Sequence, residues 1–129
     1  MIHGFDEETA PLSEKERGLL PYVTKLLEHC TGRKNAVTSK DIAFYLSHTP
    51  GEKVEGPRIR KMINHIRQNG LVSCLIATSH GYYVAETEKE LLDYEESLEG
   101  RATAIWDIKS HIKRQREARF NRPTQGVLF

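Results

Sequence analysis

Pro57 and Gly70 bracket the run PRIRKMINHIRQNG, in which Ile59, Met62, Ile63 and Ile66 recur at intervals of three and four, and this run passes directly into LVSCLIATSHGYYVA. No other stretch limits the fold as much. Proline suits the first turn of a helix because its missing N–H has no intrahelical partner there, and glycine suits a left-handed C-terminal cap. The spacing therefore predicts a helix that begins at Pro57, stops at Gly70 and turns those four side chains inward. The next segment holds two runs of apolar, β-branched and aromatic residues separated by Thr78, Ser79, His80 and Gly81, which predicts a two-stranded hairpin with a polar tip.

Such a helix needs partners for its apolar face, and the sequence upstream supplies two. Ser13 and Glu16 make an S-x-x-E capping box. Leu19, Leu20, Val23, Leu26, Leu27 and Cys30 follow at helical spacing, predicting an amphipathic helix that ends near Gly32. Pro21 falls inside it, so a kink or a break into two shorter helices is expected. After the linker TGRKNA, Thr38 or Ser39 caps a short second helix that buries Ile42, Ala43 and Leu46, and SHTPGEKVEG forms a loop. Thr87 and Glu90 then repeat the capping box and open a pattern reaching about Phe120, roughly 50 Å long if it is one helix. Within it Leu91, Leu98, Ile105 and Ile112 fall every seventh residue with Tyr94 and Ile108 between them. Arg101 and Gln115 interrupt the second seam, and Gly100 weakens the middle.

Two short helices, the second closed by a glycine and followed at once by a hairpin, are the order of elements in a winged helix-turn-helix module. The fold expected is α+β and mostly helical. Its parts are a flexible N-terminus over 1–12, a winged-helix domain over 13–86, a long C-terminal helix over 87–120 and an extended tail over 121–129.

Composition narrows the class. Charged residues make up 29% of the chain and hydrophobic ones 38%, which marks a soluble globular domain rather than a disordered segment. No apolar run approaches the roughly 20 residues that span a bilayer, and MIHGFDEETAPLSEKE is too acidic and polar for a signal peptide. A cytoplasmic protein with no membrane partner is expected. Cys30 and Cys74 lack a CxxC spacing or a nearby histidine, so both read as reduced, partly buried thiols, and neither a metal nor a cofactor is implied. There is no glycine-rich phosphate loop after a strand and no nucleophile elbow. The histidines His3, His29, His48, His65, His80 and His111 are scattered, so no catalytic residue is expected and the chain does not read as an enzyme.

The charge that matters is segregated. Opposite the apolar side of the Pro57 helix lie Lys61, Asn64, His65 and Gln68, with Arg58, Arg60 and Arg67 on the flanks and no acidic residue among them. A helix with several basic residues is ordinarily a solvated face, but such faces mix both signs, and this one does not. Arginine and lysine donate to guanine in the major groove, while asparagine and glutamine pair with adenine. Lys40, at the start of the second helix, and Ser79 and His80, at the hairpin tip, are placed to touch phosphates on either side. Of the adjacent Tyr82 and Tyr83, one is expected to face the core; Trp106 reads as a packing anchor.

TSKDIAFYLS, GPRIRKMINHIRQNG and LIATSHGYYVA, followed by an acidic helix with Leu91 and Leu98, resemble a family of small winged-helix proteins encoded by bacteriophages and prophages. The family pattern I-R-x-x-I-N-x-I-R-x-x-G, then S-x-G-Y-Y-x-A, appears here as Ile59, Arg60, Ile63, Asn64, Ile66, Arg67 and Gly70, then Ser79, Gly81, Tyr82, Tyr83 and Ala85. The resemblance covers about Val37 to Leu98 and implies binding to double-stranded DNA. The loop from His48 to Gly56 is longer than the family's and leaves the angle between the second and third helices open.

Two further features bear on partners. Acidic residues from Glu86 to Glu99 crowd the first half of the long helix, and Lys109, Lys113, Arg114, Arg116, Arg119 and Arg122 crowd its end. That polarity suits the helix macrodipole, antiparallel pairing in a homodimer, or contact of the basic end with DNA backbone. The final QGVLF has the spacing Q-x-x-L-F and resembles the short peptide with which bacterial polymerases and repair proteins dock on the sliding clamp. Gln125 would then bond at the rim of a groove, and Leu128 and Phe129 would fill an apolar pocket. Packing of the tail on its own domain is the alternative. Three functions follow: a phage DNA-replication protein that holds duplex DNA and attracts the clamp, a transcriptional regulator with a purely structural tail, and a protein adaptor that binds no DNA.

Overall fold

The structure, a computed structural model, describes residues 10–121. In chain order it contains α1 (Glu14–Glu28), a 3-10 turn (Arg33–Asn35), α2 (Ser39–His48), α3 (Gly56–Asn69), the strands β1 (Leu75–Thr78) and β2 (Gly81–Val84), and α4 (Glu88–Arg116). A π-helical stretch over Glu117–Asn121 follows α4. The architecture is α+β and mostly helical, as expected, with one two-stranded antiparallel sheet.

Helix boundaries follow local hydrogen bonding. Ser13 Oγ accepts from the Glu16 amide at 3.1 Å while the Glu16 carboxylate accepts from the Ser13 amide at 2.8 Å. Thr38, not Ser39, caps α2, exchanging the same pair of bonds with Asp41 at 3.2 and 2.9 Å, and Thr87 does so with Glu90 at 3.2 and 3.0 Å. α3 starts one residue before Pro57 and ends at Gly70, whose φ of 61° supplies the left-handed cap. The break expected at Pro21 is absent, and α1 runs without interruption. Pro21 and Arg17 are both exposed, so the Arg17 carbonyl that loses its helical donor can turn to water instead.

Leu19, Val23 and Leu27 from α1, Ile42 and Leu46 from α2, and Ile59, Met62, Ile63 and Ile66 from α3 close around one core, joined by Val54 from the long loop and by Val72 and Leu75. Each aliphatic side chain fully withdrawn from water contributes about 1.5–3 kcal/mol. The loop after α2 is tied back by the Gly51 and Glu52 amides, which donate to the Leu46 carbonyl at 2.9 and 2.8 Å, and it contains a cis Thr49–Pro50 bond.

Both strands are shorter than the sequence implies, because residues 71–74 form turns, with Cys74 at a positive φ of 61°. Strand alternation puts Leu75, Tyr82 and Val84 against the core, while Ile76 and Tyr83 pair on the other face and are also buried. The sequence did not foretell the treatment of the far edge of β2. The Tyr82 amide donates to the Val37 carbonyl at 2.7 Å and the Val84 amide to the Cys30 carbonyl at 2.8 Å. In return the Val37 and Gly32 amides donate to Tyr82 and Val84 at 3.0 and 2.9 Å. β2 is thus bonded on both sides.

The chain divides into two compact units, the first ending at Leu91 and the second beginning at Leu92. α4 is continuous through Gly100 for 29 residues, and none of its residues is buried. Trp106, expected to anchor packing, is 62% exposed. No helix among the described residues is long and apolar enough to cross a membrane.

Candidate nucleic-acid interface

The residues picked out for DNA contact fall into two groups, and the first does not behave as expected. Glu16 sits in the same helical stripe as Leu19, Val23 and Leu27 and is only 1% exposed. One carboxylate oxygen lies 2.7 Å from Lys61 Nζ and the other 2.9 Å from Arg58 Nε. Burial alone would raise the carboxyl pKa. The Lys61 ammonium, the Ser13 amide and hydroxyl and the Arg58 guanidinium together outweigh burial and hold it at about 2. The carboxylate is therefore charged at any ordinary pH.

This corrects one expectation: the face of α3 is not free of acidic neighbours, since α1 delivers one. Lys61, its side chain 11% exposed, is the counter-ion of a buried carboxylate. Arg58, 31% exposed, is shared between Glu16 and solvent. Both cations therefore fasten α3 to α1.

Other polar positions of α3 stay accessible. Gln68 and Arg67 are exposed, and Arg60, Asn64 and His65 are half-buried. Ala10, Pro11, Leu12 and Arg17 come up beside them, so that Lys61, Asn64, His65 and Gln68 line one side of a depression of about 230 Å³. The covering element is the chain leading into α1, which the sequence had assigned to a flexible N-terminus.

The second group is divided between the hairpin tip and the start of α2. Ser79 and His80 are exposed at the tip, and Lys40 is exposed in the first turn of α2. Gly81 joins them: at its φ of 125° an added Cβ would sit 2.6 Å from the Val37 carbonyl oxygen, so only glycine allows the tip to approach the start of α2 this closely. Tyr82 Oη lies 3.4 Å from Ser39 Oγ at the same junction; Tyr82 is the tyrosine that packs against the core, while Tyr83 is buried on the other face of the hairpin.

A larger depression, about 550 Å³, carries Arg33 and Lys34 together with Glu86 and Glu90, so its charge is mixed. Among the described residues no cluster of three histidine, cysteine or acidic side chains is arranged to hold a metal. Both cysteines are free. Cys30 is buried and donates to the Leu26 carbonyl at 3.2 Å, and burial, then the charge of Asp41, pushes its thiol pKa up. Cys74 is exposed, contrary to the expectation of partial burial. Gln125, Leu128 and Phe129 lie outside the described residues.

No protein-family model matches the chain, and no curated protein or solved structure matches it.

Sequence reasoning missed Glu16 because a capping box already explained it. The signal was present: its spacing to Leu19, Val23 and Leu27 places it on the apolar stripe, where a carboxylate requires cations, and Arg58 and Lys61 stand one helical turn apart.

Proposed function

We propose that this chain is a double-stranded-DNA-binding protein built on a winged helix-turn-helix plan, with α3 as the helix that enters the groove and the β1–β2 hairpin as the wing. One observation supports this most: β2 is bonded on both edges, which fixes the exposed Ser79–His80 tip beside the start of α2 and Lys40. Two short helices, the second closed by a glycine and followed at once by a hairpin, are the order of elements in such modules. Asn64 and Gln68 are the side chains offered to base edges. Lys40, Arg60, Arg67 and the hairpin tip serve the phosphates. Arg58 and Lys61 hold α3 in place.

The test is a titration with duplex DNA at several salt concentrations. Affinity falls as salt rises, Lys40→Ala lowers the salt slope by about one, and Gln68→Ala costs about 1–3 kcal/mol of sequence preference with the slope unchanged. Absent or salt-independent binding refutes the reading. The replication role, in a phage or prophage setting, rests on QGVLF. Deleting Gln125 to Phe129 removes capture of a bacterial sliding clamp and leaves DNA affinity intact; unchanged capture refutes that part. A second reading, an adaptor that contacts protein instead of DNA, is favoured by the loss of two cations to Glu16. The same titration separates the two.

A further inference from the structure

α4 is too exposed to be finished on its own. Leu98, Ile105, Ile108 and Ile112 are 38, 67, 63 and 57% exposed, and they share one side of the helix at heptad spacing. Most helical stability in proteins comes from packing an apolar face, and this face has none of its residues buried. We infer that α4 pairs antiparallel with α4 of a second copy of the chain, in the register that sets Leu98 against Ile108 of that copy.

Charge and side-chain size single out this occupant. With Leu98 opposite Ile108, Tyr94 meets Ile112 and Ile105 meets Arg101, so Leu98, Ile108 and Ile112 gain apolar or aromatic partners in the other chain and Ile105 lies against the methylene stem of Arg101. Residues flanking the seam on one side then pair Glu95 with Lys109 and Glu88 with Arg116, each pair occurring twice by symmetry. Ala102 faces its own copy at the centre, where small side chains let the backbones approach. Lys109 already lies along this flank, its Nζ 4.5 Å over the Trp106 ring. A parallel pair fails on the same grounds, since it stacks Arg101 on Arg101 and sets Glu90 beside Glu95. The division of α4 into acidic and basic halves becomes a device that specifies orientation.

Sedimentation of the full chain at tens of micromolar and low salt tests this without any DNA. A dimer is expected, and Ile108→Glu converts it to monomer with helix content of the first unit unchanged, because Ile108 is solvent-facing in the single chain. Glu95→Lys and Lys109→Glu each weaken the dimer about tenfold, and the two together restore it. Residues 95 and 109 are about 21 Å apart along one helix, so the rescue reports contact between chains. A strict monomer, a dimer that survives Ile108→Glu, or failure of the charge swap to rescue overturns the inference.

Discussion

Glu16→Gln is the most informative single substitution in the molecule. It keeps the shape of the side chain and, with its amide oxygen in the Oε1 place, the capping bond to the Ser13 amide, while it deletes the charge that faces Lys61 and Arg58 and turns an amide N–H toward the Arg58 donor. Two routes give its cost. A carboxyl whose pKa falls from 4.5 in a free chain to about 2 in the fold contributes about 3 kcal/mol of stability at neutral pH. Breaking a buried ion pair by removing one partner costs about 3–5 kcal/mol, because the remaining cation is left without compensation. Arg58 is partly solvated and recovers some of that, which favours the lower figure. The depressed pKa also fixes the direction with pH. The contribution is complete above about 4.5, where the unfolded group is ionised as well, and it disappears as pH falls toward 2 and the folded carboxylate takes up its proton. Urea unfolding of both proteins from pH 7 to pH 2 measures it: the gap between them is about 3 kcal/mol at neutral pH and closes on acidification. A gap under about 1 kcal/mol at pH 7, or one that does not change with pH, refutes the reasoning. Lys61→Met in the Glu16→Gln background recovers much of the loss, since no charge then remains buried without a partner.

Two glycines separate backbone strain from collision. Gly70→Ala meets open space and costs only the left-handed conformation, about 1–2 kcal/mol. Gly81→Ala adds a clash with the Val37 carbonyl and costs about 3 kcal/mol or more in thermal or urea unfolding. The thiols differ as well: a thiol reagent labels Cys74 at once in the folded protein and Cys30 only on unfolding, and rapid double labelling contradicts the burial of Cys30.

What was legible in the sequence was local. Capping boxes, the Gly70 boundary and the inward isoleucines of α3 depend on bonds within a few residues and agree with the structure, and the start expected at Pro57 falls within one residue of Gly56. The rest depends on partners distant in the chain. The second edge of β2 is bonded by Thr31 and Val37 as isolated bridges, too short to leave an alternating pattern. Glu16 reaches residues more than forty positions away. Residue type alone points Trp106 toward packing, whereas its side chain is 62% exposed among the described residues. The continuity of α1 through Pro21 depended on which way the proline faced, and periodicity alone did not settle its effect.

The frame beneath Ser79 and His80 is made of main-chain bonds to residues 30 to 37 and to β1, none of which uses the side chains at those two positions. Whatever this surface touches, a lineage can therefore rewrite positions 79 and 80 with little penalty to the rest of the molecule. Gly81, one residue further on, admits no such latitude. Evolvable and immutable sites stand next to each other on one turn, and variation among natural copies should be steepest across that single peptide bond.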